Sequence, residues 1–389
     1  MKSLASRADE LLGRAVAAGE VPGVVAMAVQ GEEVIYEGAF GRRALGRDEP
    51  MQADSVFWLA SMTKPLTTAV ALQLVERGRL SLDEPVERRM PEIRRIEVLD
   101  GFDAAGQPRL RPPRSPVTLR QLLNHTSGFG YEFWNGAIQR YRKERRLPSV
   151  GSSRRAGLDT PLVFDPGTRW QYGIGIDWTG LLIEAVTGQR LGAVLREELL
   201  GPLGMDDTAF RLGPSMRARL AKVHQRGSDG TLVATDVAVP AEPEVEMGGS
   251  GLYGTAGEYL RFLRLILQAG RWQGTGILRR ESVDAMASPQ IGAHRLEALQ
   301  TVMPGLARSL DLYPGLDKTF GFGFQINRER ASTGASAGCL LWSGLANTHF
   351  WIDPSRRLAG VFLTQVLPFA DPATIGRYLQ FQQAVYESL

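Results

Sequence analysis

Residues 57–65 read Phe-Trp-Leu-Ala-Ser-Met-Thr-Lys-Pro, and the tetrad Ser61-Met62-Thr63-Lys64 decides how the rest of the chain is read. A serine and a lysine three residues apart on a helix share one face, within mutual reach. A serine hydroxyl is a poor nucleophile near neutral pH unless a neighbour takes its proton. An adjacent amine can do that, or can lower the pKa of another base that does. Pro65 is tolerable only in a first helical turn, where a missing amide donor costs little. Leu66, Ala69, Val70, Leu74 and Val75 then recur at helical spacing until Gly78, which predicts an amphipathic helix with Ser61 at its N-terminal end. The positive end of that helix favours negative charge developing on the hydroxyl. Taken alone, such a tetrad is usually solvated surface; its weight comes from what accompanies it.

The chain of 389 residues, 43% hydrophobic and 22% charged, is ordinary globular composition and long enough for two or three domains. The net charge of +3 is scattered, and the densest basic run, Arg140 to Arg146, contains Glu144, so no nucleic-acid footprint stands out. Cys339 is the only cysteine, which excludes an internal disulfide or a thiolate metal cluster; Leu340 and Leu341 beside it predict a buried structural thiol. The four histidines (His125, His224, His294, His349) lack metal-ligand spacing, so neither metal nor cofactor is expected. Asp9, Glu10 and Arg14 break any apolar stretch after Met1-Lys2, and no apolar run reaches membrane-spanning length, so a cytoplasmic protein without membrane attachment is expected.

Hydrophobic periodicity predicts a helix over 4–18, then two strands, 24–30 and 33–40, around a Gly31-Glu32 turn. Residues 81–212 read mostly as helices joined by Gly/Pro-rich loops, with 100–116 a loop excursion. Thr118 is placed to cap a short helix through Asn124, and Asp177 to cap one from Trp178 to Thr187. Residues 237–247 read as a connection and 258–269 as an amphipathic helix. Four antiparallel strands are expected over 320–327, 339–342, 349–352 and 358–365, followed by a helix over 374–388. The fold class is therefore α/β (α+β): an antiparallel sheet flanked by helices, with a mainly helical insertion. Residues 1–80 and 235–389 form the discontinuous sheet domain and 81–234 the insertion, with the active site in the cleft between them.

Further clusters accompany the tetrad: Leu122-Leu123-Asn124-His125-Thr126-Ser127-Gly128, Trp170-Gln171-Tyr172, the glycine-rich 248–255, and Trp342-Ser343-Gly344-Leu345. In this order and spacing they resemble the serine β-lactamase and penicillin-binding-protein superfamily, in its class C-like branch, and most closely the family VIII carboxylesterases. The resemblance runs from Val24 to the last helix. It implies that Ser61 attacks an acyl carbon and carries the acyl group, that Tyr172 takes its proton, and that Lys64 holds the hydroxyls in register. Backbone amides of Ser61 and Leu345 would form the oxyanion hole. A phenol with an ordinary pKa of about 10 beside a lysine ammonium of about 10.4 ionises more readily; which of the two holds the proton is a property of the coupled pair.

Where the superfamily's β-lactamases carry Lys-Thr-Gly this chain has Trp342-Ser343-Gly344, and where they carry asparagine two residues after the tyrosine it has Ile174. Losing both polar partners disfavours an anionic lactam and favours an uncharged acyl ester, with Trp342, Ser343, Gly344 and Ile174 expected to border the substrate. Tyr131, Phe133 and Trp134 are candidates for an aromatic substrate pocket, with aromatic core under a loop the competing reading. His125 resembles a structural residue tying a turn, and Tyr253 has no assigned role. The expected activity is hydrolysis of short- to medium-chain acyl esters, with acyl transfer to an alcohol, or weak lactam hydrolysis, as side activities. The alternatives are a β-lactamase or D-amino-acid peptidase and, less favoured, a non-catalytic binding protein. The expected partner is a small-molecule ester; oligomeric state is open.

Two motif matches fail on context. Gly334-Ala335-Ser336-Ala337-Gly338 fits G-x-S-x-G, but a nucleophile elbow needs strand, turn and helix, and here a strand follows. Residues 249–254 fit G-x-G-x-x-G without the preceding strand a dinucleotide site needs.

Overall fold

The computed structural model describes residues 3–389. Helix α1 (Leu4–Ala17) starts at Ser3, whose side chain accepts the Ser6 amide, and leads into strands β1 (Gly23–Gln30) and β2 (Glu33–Gly41). Helix α2 (Thr63–Glu76) carries Lys64, and Ser61 sits in the 3-10 turn Ala60–Met62 just ahead of it. Helices α3 (Leu119–Leu123), α4 (Gly136–Arg145), α5 (Gly175–Thr187) and α6 (Ala256–Leu267) follow. The last part of the chain supplies strands β3 (Lys318–Phe320), β4 (Gln325–Asn327), β5 (Leu340–Gly344), β6 (Thr348–Asp353) and β7 (Leu358–Leu363), then helix α7 (Pro372–Tyr386).

Seven strands form one antiparallel sheet in the order β3-β4-β5-β6-β7-β1-β2. The two ends of the chain meet where β1 pairs β7, Val25 opposite Leu363 and Gln30 opposite Leu358. Strand β1 is apolar along nearly its whole length because both faces are covered. Val25, Met27 and Val29 join the large core with α2 and α6, while Val24, Ala26 and Ala28 join a second core under α1 and α7. This is the mixed α/β architecture, antiparallel sheet and flanking helices, that the sequence predicts.

Three local expectations change. Helix α2 is not amphipathic: every residue from Thr63 to Leu74 is buried, so it runs through the protein's centre. Thr67 and Gln73 therefore bond inward, Thr67 Oγ1 to Gly248 O at 2.7 Å and Gln73 Nε2 to Ile277 O at 2.9 Å. Residues 100–116 are not a free excursion. They include a strand pair, Val98–Phe102 with Pro108–Arg111, and Arg111 grips the Asp165 carboxylate through two hydrogen bonds of 2.9 and 2.8 Å. Residues 320–327 are two strands rather than one, because the chain turns over Gly321–Phe324 and pairs with itself. Among the described residues no helix is long and apolar enough to cross a membrane.

Strand β5 abuts the turn that carries Ser61. A Cβ on Gly344 would lie 2.3 Å from Leu59 O and 2.2 Å from Thr348 Oγ1, so only glycine lets the strand come this close. Gly344→Ala should lower stability by about 1–3 kcal/mol, the range for overpacking, read as a lower denaturation midpoint; an unchanged midpoint would contradict this packing.

Three histidines, His125, His224 and His349, are held below the ordinary imidazole pKa chiefly by burial, His349 at about 3. Unfolded, each binds a proton below about pH 6.5; folded, they remain neutral to lower pH, so the unfolded state holds more protons as pH falls. Stability should therefore decline from about pH 6.5 downward, by up to about 1.4 kcal/mol per pH unit for each such residue. Denaturation midpoints between pH 7 and 4.5 check this, and His349→Gln should flatten the slope.

Candidate active site

Ser61 is presented by an unusual backbone. Ala60, just before it, has φ of +46°, a left-handed conformation that a side-chain-bearing residue rarely adopts. Leu59 N to Leu252 O at 2.9 Å and Met62 N to Leu59 O at 3.0 Å hold the turn from both sides. Ser61 is consequently half-buried at a cleft floor, while Lys64, one turn on, is completely buried.

Lys64 Nζ has three partners: Ser61 Oγ at 3.1 Å, Tyr131 OH at 2.9 Å and Gly249 O at 2.7 Å. Its ammonium also lies against two rings, 4.8 Å from the Tyr172 centroid and 5.1 Å from that of Tyr131. Tyr172 OH is 2.7 Å from Ser61 Oγ and accepts the Trp342 indole N–H at 3.2 Å. Helix α2, the loop before α5 and strand β5 thus each bring one side chain to a common point. Ser61, Lys64, Tyr172 and Trp342 are brought together although the chain separates them widely.

The Tyr172 loop is held by its neighbours. His125, at φ +62°, accepts the Gln171 amide through its carbonyl at 2.9 Å and sets its ring edge-on to Tyr172 at 4.9 Å. Burial, and secondarily the Lys64 charge, keep that imidazole neutral. His125 meets Tyr172 through its ring and Gln171 through its carbonyl, and does not reach Ser61 by any hydrogen bond among the described residues.

Two cavities meet at Ser61. Both are bordered by Ser61, Phe133 and Leu345. The first holds Tyr172, Trp342, Ser343 and Trp134, with Leu299 and Leu310 from the segment before β3. The second holds Trp58, Tyr131, Val150 and Val239. Ser343 Oγ lies 2.7 Å from His349 Nδ1. Tyr253 accepts the Val239 amide at 2.9 Å, tethering the wall of the second cavity.

Three expectations about individual residues are corrected. Ile174 borders neither cavity. It is buried in the large core at the N-cap of α5, because a side chain two residues past Tyr172 turns inward as the helix starts. Gly344 likewise borders neither, being pressed against Leu59. Asp177 does not cap α5. It lies fully buried inside the first turn, where Oδ1 accepts the Gly249 amide at 2.8 Å and Oδ2 lies 3.4 Å from Tyr131 OH. Burial raises its pKa, against the opposing pull of Lys64 and these hydrogen bonds. Tyr131 does border the second cavity, but its hydroxyl points to Lys64, and burial followed by the Asp177 charge pushes its pKa well up. Sequence reasoning missed Tyr131 and Gly249 as lysine partners. The signal available was Asp177, a carboxylate in an otherwise apolar helical stretch.

Ser336 is far from this chemistry in kind. Its amide donates to Asp353 Oδ2 at 3.0 Å in the connection between β4 and β5, with no helix after it.

The family model described as Beta-lactamase matches residues 8–385. Monacolin J acid methylbutanoyltransferase of Aspergillus terreus is 35% identical, over 96% of this chain and 93% of its own length. Lovastatin esterase of Penicillium rubens is 32% identical, over 92% of this chain and 93% of its own. Unliganded simvastatin synthase (LovD) from Aspergillus terreus superposes with a TM-score of 0.86 at 33% identity, covering 99% of this chain and 98% of that one. With acyltransferases and an esterase as its relatives, the chain is an enzyme of the serine-hydrolase type. It belongs to the β-lactamase family.

Proposed function

We propose that this enzyme moves a short- to medium-chain acyl group between hydroxyl compounds through an acyl-Ser61 intermediate, with water as the competing acceptor. The observation that carries the reading is the 2.7 Å approach of Tyr172 OH to a serine oxygen that also accepts from Lys64. In this reading Tyr172 takes the Ser61 proton as Oγ bonds to the acyl carbon. The Ser61 and Leu345 amides receive the carbonyl oxygen, a contribution of about 3–4 kcal/mol for a single such donor elsewhere. Collapse of the tetrahedral species expels the alcohol, which regains the proton from Tyr172. A second alcohol, or water, reverses these steps and frees the acyl group.

The two cavities divide the substrate. Whatever alcohol leaves or attacks must have its oxygen within hydrogen-bond reach of Tyr172, and Tyr172 borders only the first cavity. The alcohol therefore occupies the space between Trp134, Leu299, Leu310 and Trp342, and the acyl chain extends past Tyr131 and Val150. The first cavity is lined mainly by apolar and aromatic side chains, with Glu297, Asp311, Lys318 and Gln325 among them, which suits a largely hydrophobic alcohol. Trp342 supplies one N–H to the Tyr172 oxygen, which favours its ionised form without adding a charge to attract an anionic substrate. One relative is named for acyl transfer and another for ester cleavage, two outcomes of one acyl-enzyme. We extend the reading to the family VIII esterase branch on the strength of Trp342.

A fluorophosphonate probe should add to Ser61, seen by intact mass and peptide mapping; no adduct, or one on Ser336, would reject the nucleophile. A chromogenic butyryl ester should turn over faster than a chromogenic cephalosporin, and an added apolar alcohol should divert the acyl group from water. Equal or better lactam turnover would overturn the substrate reading. Tyr172→Phe should cut kcat by about 10²–10⁴-fold, the usual range for loss of a general base. Trp342→Phe should cost about tenfold, the equivalent of one hydrogen bond to a charged oxygen.

A further inference from the structure

We propose that Asp177 is the counter-ion of Lys64 and a positioning residue for the nucleophile, acting through two bridges, the Gly249 peptide and the Tyr131 hydroxyl. The proposal deepens the function proposed above and rests on it.

The geometry begins with what a buried ammonium requires. Lys64 has no exposed surface, and an uncompensated charge in that position is costly. An ammonium has three N–H donors and no acceptor. Three acceptors surround Nζ: Ser61 Oγ, Tyr131 OH and Gly249 O. Hydrogen bonds alone do not supply a negative charge, and no carboxylate bonds Nζ directly in the contacts described. Asp177, itself fully buried, stands one group further out.

The two ions are connected twice. Gly249 gives its carbonyl to Lys64 at 2.7 Å and its amide to Asp177 Oδ1 at 2.8 Å. Tyr131 accepts from Lys64 at 2.9 Å and turns its own proton toward Asp177 Oδ2 at 3.4 Å. Both carboxylate oxygens thus act as acceptors, the pattern of an ionised group. A Cβ on residue 249 would lie 2.6 Å from Asp177 Oδ2, so the glycine is what allows a peptide to fit between the charges. The glycine-rich run 248–255, set aside as a dinucleotide motif, has this as its structural use.

Other groups nearby do not take over the role. His125 is within electrostatic reach of Lys64 but neutral. Glu132, beside Tyr131, is paired with Arg142 at 2.6 Å. Tyr172 reaches Lys64 through its ring face and Ser61 through its hydroxyl. Asp177 is therefore the carboxylate that the bridged contacts join to the lysine. It is also carried in the first turn of the helix that follows the Tyr172 loop, so base and counter-ion are close neighbours along the chain.

Removing the negative charge while keeping the shape makes Lys64 hold its proton less firmly and eases ionisation of Tyr172 beside it. Asp177→Asn should consequently move the pH profile of kcat/KM toward lower pH, its alkaline limb most. It should also reduce kcat about tenfold at the native optimum with KM little changed. Tyr131→Phe removes one bridge and leaves the charge, so it should lower kcat while moving the profile less. Should Asp177→Asn fail to fold, Tyr131→Phe carries the test, and a kcat equal to the native value would then overturn the bridge. An Asp177→Asn profile that keeps both limbs in place, whatever its amplitude, would overturn the counter-ion role. Fluorophosphonate labelling of the native enzyme separates the two levels. Absence of a Ser61 adduct defeats the acyl-enzyme reading itself, whereas a labelled native enzyme with an unmoved Asp177→Asn profile defeats the counter-ion alone.

Discussion

A lysine ammonium with no exposed surface, one turn from a serine, is the constraint around which this protein is arranged. Burying it is unfavourable unless every N–H finds an acceptor and the charge finds compensation. Those acceptors come from three separate parts of the chain: the Ser61 turn, Tyr131, and Gly249. None can move far without leaving a donor unpaired in a low-dielectric interior. The cost of that failure makes the site stiff, and stiffness is what the proposed pair of nucleophile and base, Ser61 and Tyr172 at 2.7 Å, requires.

The fold supplies the rigid bodies that meet there. Helix α2 is buried on all sides from Thr63 to Leu74, and turning it would break the bonds of Thr67 to Gly248 and of Gln73 to Ile277. Strand β5 lies in the sheet between β4 and β6, and Gly344 lets it press against the turn of Ser61. The left-handed Ala60 is the local cost of lifting Ser61 into the cleft. Two cavities border Ser61, and they differ in one respect that matters. Only the first is bordered by Tyr172, the residue proposed as base.

Two other serines imitate catalytic arrangements. Ser343 and His349 are 2.7 Å apart, the distance of a nucleophile and its base. His349, however, is held at about 3 by burial and accepts no proton near neutral pH, so it orients the Ser343 hydroxyl without activating it. Ser336 satisfies a familiar pattern in a loop where its amide serves Asp353. A hydrogen-bonded serine is common; Ser61, joined to both an amine and a phenol at the meeting of two cavities, is the one proposed to do chemistry.

Periodicity, a local property, was enough to identify the sheet and its flanking helices, whereas the grouping of Ser61, Lys64, Tyr172 and Trp342 came from the resemblance of their motifs to the serine β-lactamase superfamily, because residues so far apart carry no local signal of proximity. The linear order misplaced what depends on which way a side chain turns in three dimensions. Ile174 was expected to face substrate and instead packs inward, because the start of α5 sets its direction. Asp177 reads as a helix cap by position, yet its carboxylate serves a lysine more than a hundred residues earlier, through a glycine peptide and a tyrosine. Such contacts carry no sequence period. They arise only when the packed core removes water from an ion, and the nearest polar groups, whatever their position along the chain, must take water's place.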